Sequence, residues 1–177
     1  PLSIMDSAWR GDLETFAPHR TVDIAYGAPK KRKAIIEQGA DFVIINYDGV
    51  DIVFEEIANG GFDLIVADEA THYKNAQTKR WKTLNKLVQP WLWMMTGTPA
   101  AQSPLDAYGL AKLIDRTSVP RFFGSFRDMV MTKITQFRWE MKACASDLVH
   151  AILQPAIRFT KEECLDLPEM VYVKRKV

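Results

Sequence analysis

The chain has 177 residues, 47% hydrophobic and 25% charged, with a formal net charge of +1. This is the composition of a folded domain with one good core, and a charge so near zero excludes bulk attraction to nucleic acid, so any such contact must come from local groups on one face. Cys144 and Cys164, with no Cys-x-x-Cys pair, exclude a disulfide framework or thiolate zinc site and read as reduced thiols of an intracellular protein; no apolar run is long enough to span a membrane.

In chain order, Ile4, Ala8, Trp9, Leu13 and Phe16 stand at helical spacing, and Thr21-Val22-Asp23-Ile24 supplies a short extended segment. A helix is predicted over residues 29–38, a buried strand over 41–47 closed by Asn46, and a helix over 49–58 stopped by Gly60-Gly61. The next strand is Phe62-Asp63-Leu64-Ile65-Val66-Ala67, followed by a helix over 76–88, a strand over 91–95 and a helix over 105–114. Strands separated by helices argue for βαβ units, hence an α/β fold with a parallel sheet and helices on both faces. After Asp115 the pattern changes: residues 122–131 and 144–153 look helical, with no strand expected until Val171-Tyr172-Val173. The expected division is residues 1–115 as the sheet domain and 116–177 as a helical extension. The five tryptophans are expected in the core, and the basic cluster Lys30-Lys31-Arg32-Lys33 as a solvated helix start. Because the chain opens on Pro1, its natural N-terminus is expected upstream.

Two strings carry chemistry. Asp68-Glu69 arrives directly after an apolar strand, and buried carboxylates there make sense if a cation or a reacting water meets them. Asp68 would hold magnesium, through water, and Glu69 would orient or deprotonate a water attacking a phosphate. The same pair also suits the N-terminus of the helical segment that follows. Thr96-Gly97-Thr98-Pro99 ends the next strand, so its hydroxyls should emerge at the same sheet edge, able to bond the carboxylates and to shift when phosphate leaves; an ordinary turn reads similarly. No Gly-x-x-x-x-Gly-Lys-Ser/Thr phosphate loop occurs anywhere in the chain. The reading is part of an ATP-driven motor rather than a complete one.

Asp68-Glu69-Ala70-Thr71-His72-Tyr73-Lys74-Asn75 resembles the Walker B segment of the Swi/Snf family of superfamily 2 helicase-like ATPases, and Thr96-Gly97-Thr98-Pro99-Ala100-Ala101-Gln102-Ser103 resembles its third helicase motif. Pro1-Leu2-Ser3 with Trp9 and Phe16-Ala17-Pro18-His19 is similar to motif Ia, residues 43–47 to motif Ib, and Arg158-Phe159-Thr160-Lys161 through Asp166-Leu167-Pro168 to the segment leading to a second motor lobe. Thr71 stands where the family commonly has His, Gln102 where it has Asn, and Phe159 where it has a basic residue.

The resemblance implies the first RecA-like lobe of a double-stranded DNA translocase using ATP and Mg2+, without its phosphate-loop strand and second lobe. It implies nucleotide contacts from Asp68, Glu69 and Thr71, coupling of ATP to DNA through Thr96, Gly97 and Thr98, and sequence-independent phosphate contacts from Ser3, Asn46 and Tyr47. The chain alone is expected to be inactive and to bind no nucleotide tightly. In the RecA-like order, the absent phosphate-loop strand leaves the strand over 91–95 with an open edge, either covered by some other element or bare. The alternatives are another superfamily 2 motor, such as a restriction-system subunit, and a catalytically dead interaction module.

Overall fold

A computed structural model describes residues 5–87, 91–100, 102–159 and Glu163. Ser3, Cys164, Asp166-Leu167-Pro168 and the strand predicted at 171–173 lie outside those residues. A π-helical turn at Met5–Arg10 runs into α1 (Gly11–Phe16). Strands β1 (Val22–Ile24) and β2 (Phe42–Ile44) pair in parallel, with Val22 opposite Phe42 and Ile24 opposite Ile44. Between them lies α2 (Pro29–Glu37), opened by a proline whose missing N–H would have had no helical partner. Gly39, at φ +73, ends the segment in a conformation that side chains rarely adopt. Asp41 then ties the start of β1 to β2, accepting the Thr21 N–H and hydroxyl, each at 2.8 Å, and the Arg20 guanidinium at 2.9 Å.

The helix predicted over 49–58 is two helices, α3 (Tyr47–Ile52) and α4 (Phe54–Asn59). They meet at Val53, which leaves helical geometry at φ −121 and ψ 32 and is completely buried in a cluster with Ala25, Ile36 and Ile57. Seating this β-branched side chain outweighs the modest propensity gained by continuing one helix.

Strands β3 (Leu64–Ala67) and β4 (Trp91–Met94) form the second parallel pair, Leu64 opposite Trp91 and Ala67 opposite Met94. They are joined through a 3-10 turn at Ala70–Tyr73 and α5 (Lys79–Lys86), where the Thr78 hydroxyl caps the helix by accepting the Trp81 N–H at 3.2 Å. The parallel α/β construction is as expected, though among the described residues no ladder joins the two pairs. Ala67, Ala70, Tyr73, Trp81, Leu84 and Leu110 form a core under β3 and β4, with Ile65, Leu92 and Met94 packed against it. The two-residue period that sends Leu92 and Met94 inward sends their neighbours outward: Trp91 is 65% and Trp93 60% exposed, beside exposed Val66. This corrects the expectation that both tryptophans are core residues. Among the described residues the one strand partner of β4 is β3.

A second 3-10 turn, Pro104–Asp106, capped by the Ser103 hydroxyl, leads into α6 (Ala107–Ile114). Helix α6 lies against the turn Ala70–Tyr73 so closely that a Cβ on Gly109 would stand 2.5 Å from the Tyr73 carbonyl oxygen and 2.3 Å from that of Lys74. Its other side joins α7 (Phe123–Val130) and α8 (Ala145–Ile152) in a core built on Tyr108, Ala111, Phe126, Val130, Val149 and Ile152. The later part of the chain is not wholly helical before 171. Strands β5 (Met131–Lys133) and β6 (Trp139–Met141) form an antiparallel hairpin, with Lys133 opposite Trp139. Its turn is made by the Thr135 hydroxyl, which accepts the amides of Phe137 and Arg138 at 3.3 and 3.1 Å. The Arg127 guanidinium sits 4.0 Å from the Trp139 ring centroid and fastens the hairpin to α7.

Candidate active site

The register of β3 with β4 brings both strands to an end at one edge. Beyond the ladder, the Met95 N–H donates to the Ala67 carbonyl at 3.0 Å and the Ala70 N–H to the Met95 carbonyl at 2.8 Å. Asp68 and Glu69 lie between these two straps. Glu69 has φ 47 and ψ 57, the one non-glycine residue with positive φ among the described residues. For an L side chain this left-handed conformation costs about 1–2 kcal/mol, so the surroundings must hold it.

The Glu69 carboxylate faces two hydroxyls. Its Oε1 accepts from Thr71 Oγ1 at 2.6 Å and from Thr96 Oγ1 at 3.4 Å. The Thr98 N–H donates to Thr96 Oγ1 at 3.3 Å, which leaves the Thr96 proton to point at Glu69. Nothing lies within 4 Å of where a Cβ on Gly97 would be, so the turn between the two threonines borders open space. Asp68 is half-buried: Oδ1 accepts the Glu69 N–H at 2.9 Å, and Oδ2 accepts the Trp9 indole N–H at 3.2 Å. Glu69 makes no side-chain cap of the following turn, so the pair serves this edge rather than a helix start.

A second layer holds the corner. The Tyr47 hydroxyl donates to the Asp68 carbonyl oxygen. The Tyr47 ring lies 4.6 Å from His72 and edge-on to Tyr73 at 5.8 Å, and the Arg80 guanidinium covers it at 5.1 Å while bonding Asp48 at 2.8 Å. Burial raises the Tyr47 hydroxyl above its ordinary pKa, and the Asp68 and Glu69 carboxylates raise it further. Burial likewise pushes Tyr73 up to about 12. Below the corner, Lys74 Nζ reaches both Gln102 Oε1 and Asp106 Oδ1 at 3.3 Å, tying the segment after β3 to the segment after β4.

Of the other residues singled out in the sequence, Asn46 presents Oδ1 to buried Arg32 at 2.8 Å, and Arg32 also bonds the Ala25 carbonyl at 2.9 Å and the Gly27 carbonyl at 2.8 Å. Arg32 of the basic cluster is therefore a structural clamp rather than a solvated charge. Trp9 and Gln102 stood in the segments resembling motifs Ia and III without a contact assigned to them, and Arg80 had no sequence signal at all. Trp9 lies 59 positions from Asp68, beyond the reach of any local pattern.

No group of three or more His, Cys, Asp and Glu side chains capable of holding a metal occurs among the described residues. Magnesium does not require one, because it keeps much of its water and is held by one or two carboxylates together with substrate phosphates. Each Asp68 oxygen carries one hydrogen bond and retains a second lone-pair direction, which fits an ion held through water.

Residues 1–177 match the SNF2-related domain. The chain is 26% identical over 179 residues to YwqA of Bacillus subtilis, whose name places it among ATP-dependent helicases/translocases; the match takes in 98% of this chain and 19% of that protein. It is 23% identical over 182 residues to the chromodomain-helicase-DNA-binding protein 1-like of Danio rerio, covering 96% of this chain and 17% of the relative. The chain thus spans about a fifth of the length of these relatives. The fold is similar to that of the Sulfolobus solfataricus SWI2/SNF2 ATPase core, solved in complex with double-stranded DNA, at a TM-score of 0.71 and 24% identity over 95% of this chain and 35% of that one.

Proposed function

The chain belongs to the SNF2-related domain family, and on that premise we propose that it is part of the first lobe of a two-lobed motor that hydrolyses ATP to move along double-stranded DNA. The observation that carries this reading is the left-handed Glu69 at the end of β3, its carboxylate bonded to Thr96 from the neighbouring strand end. In this reading Glu69 orients the attacking water and takes its proton, while Thr71, bonded to the same carboxylate oxygen, fixes the direction of the carboxylate. Asp68 would hold magnesium through its water shell, and the ion, when bound with ATP, supplies neutralisation of phosphate charge. Thr96, Gly97 and Thr98 report the state of that carboxylate to the segment before α6, because the Thr96 hydroxyl stands between Glu69 and the Thr98 amide.

On the DNA side, Ser3, Asn46 and Tyr47 contact phosphates, Tyr47 through its backbone amide because its hydroxyl is taken by the Asp68 carbonyl, and such contacts position the protein without reading bases. With its Oδ1 held by Arg32, Asn46 has its amide nitrogen as the group to offer a phosphate. The lysine and amide cradle for the β and γ phosphates and the second lobe come from the rest of the motor, which works inside the cell, where DNA is. The 177-residue chain by itself turns over no ATP above background.

The test uses the intact protein. Double-stranded DNA should stimulate ATP turnover whatever its sequence, with an affinity that falls steeply as salt rises. Tight, sequence-selective duplex binding without stimulation, or turnover by the 177-residue chain that disappears in Glu69→Gln, contradicts the reading.

A further inference from the structure

The peptide between Asp68 and Glu69 is held at both ends. Its N–H donates to Asp68 Oδ1 at 2.9 Å, and its carbonyl oxygen accepts the Tyr47 hydroxyl. Rotating this peptide plane changes φ of Glu69, so whatever fixes the plane fixes the left-handed conformation. The flanking backbone contributes the Met95 N–H to the Ala67 carbonyl at 3.0 Å before this peptide and, after it, the Ala70 N–H to the Met95 carbonyl at 2.8 Å and the His72 N–H to the Glu69 carbonyl at 3.1 Å. None of these bonds uses the Asp68 carbonyl or the Glu69 N–H, so they leave the peptide between those residues free to turn. The bond from Asp68 Oδ1 is local and moves with the residue that makes it. Tyr47 differs because it comes from α3, and its ring is wedged by His72, Tyr73 and Arg80.

We propose that Tyr47 is a positioning residue of the hydrolytic site: its hydroxyl locks the Asp68–Glu69 peptide and keeps Glu69 in the left-handed conformation that aims its carboxylate at Thr96. This deepens the ATPase reading and rests on it. Tyr47 follows Asn46 directly, so the segment proposed to meet DNA phosphates also carries the side chain that sets the geometry of hydrolysis. The phenol is suited to the task, since a tyrosine hydroxyl keeps its proton at physiological pH and can donate it to a carbonyl.

Tyr47→Phe removes the hydroxyl and keeps the ring packing. In the intact protein at saturating DNA, ATP turnover should fall about tenfold, the loss expected when one hydrogen bond holds the reactive geometry, with KM for ATP and DNA affinity within about twofold of the parent. In the 177-residue chain without nucleotide, amide hydrogen exchange at Glu69 and Ala70 should speed up by about the same factor, while the amides of β1 and β2 exchange as before. Unchanged turnover with unchanged exchange overturns the proposal. So does weakened DNA binding with full turnover at saturation, which would make the Tyr47 hydroxyl a DNA contact, or equal acceleration at every amide, which would make Tyr47 a general packing residue. Glu69→Gln measured alongside separates the two levels: if it still hydrolyses ATP the ATPase reading fails, whereas the exchange data judge the hold on Glu69 by themselves.

Discussion

Gly109→Ala tests whether α6 supports the hydrolytic edge. A Cβ at this position would meet three backbone atoms, the Lys74 oxygen at 2.3 Å, the Tyr73 oxygen at 2.5 Å and the Lys74 carbonyl carbon at 2.6 Å. Ordinary contacts to a Cβ begin near 3.4 Å, so helix and turn must part by about 1 Å, and no flexible side chain can absorb the movement. Overpacking of this kind costs about 1–3 kcal/mol. The shift also strains the bond from the Trp81 indole N–H to the Gly109 carbonyl, 2.8 Å long and worth about 1 kcal/mol. Alanine recovers about 1 kcal/mol of helix propensity, which leaves a net loss of about 1–3 kcal/mol. For a chain of this size the midpoint of thermal unfolding should fall by about 2–12 °C. Gly124→Ala in α7 is the control, because nothing lies within 4 Å of its Cβ position, and it should be neutral or stabilising by up to about 1 kcal/mol. If Gly109→Ala unfolds within about 0.5 kcal/mol of the parent, the close packing of α6 on the turn after Glu69 is wrong.

Three further outcomes are expected. Asp41 has its pKa lowered to about 2, first by the Thr21 N–H, then by the Thr21 hydroxyl and Arg20. Its folded value lies below the unfolded one, so its contribution is complete above about pH 4 and is lost as pH falls towards 2; Asp41→Asn should flatten the loss of urea resistance across that window, and an unaltered slope contradicts the strap between β1 and β2. Trp9→Phe combined with Asp68→Asn in a double-mutant cycle of stability should give a coupling of about 1 kcal/mol, whereas strict additivity rules out the indole bond to the carboxylate. Replacing Trp91 and Trp93 by threonine should change stability by no more than about 0.5 kcal/mol per site and reduce self-association in sedimentation or light scattering, because both rings stand on an exposed face; severe destabilisation would mean that the face is covered.

What could be read from the sequence was what local order encodes. Apolar runs that stop at Asp68-Glu69 and at Thr96-Gly97-Thr98 announce two strand ends, and the βαβ rhythm announces that they run parallel, so the meeting of Glu69 with Thr96 was foreseeable. The conformation of Glu69 was not, since no Gly, Asn or Asp at that position signals a positive φ. Trp9 and Tyr47 reach Asp68 from 59 and 21 positions away, distances at which only the fold decides who meets whom. The string Trp91-Leu92-Trp93-Met94 is apolar at every position, so its pattern cannot say which face is covered. The β5–β6 hairpin was hidden because its strands have three residues each and its turn uses Thr135 instead of Gly or Asn. The break at Val53 escaped for a related reason: valine is an acceptable helix residue, and only its burial beside Ile36 and Ile57 selects a different backbone.

The most direct measurement is ATP turnover and ATP binding by the intact protein carrying Glu69→Gln. The substitution keeps the shape of the side chain and its bonds to Thr71 and Thr96 while removing the charge that orients the attacking water. Binding within a few-fold of the parent, with hydrolysis reduced by at least about a hundredfold, is the result predicted. Hydrolysis at the parental rate, or a parallel collapse of binding and hydrolysis, would contradict the assignment of Glu69 as the residue that prepares the water.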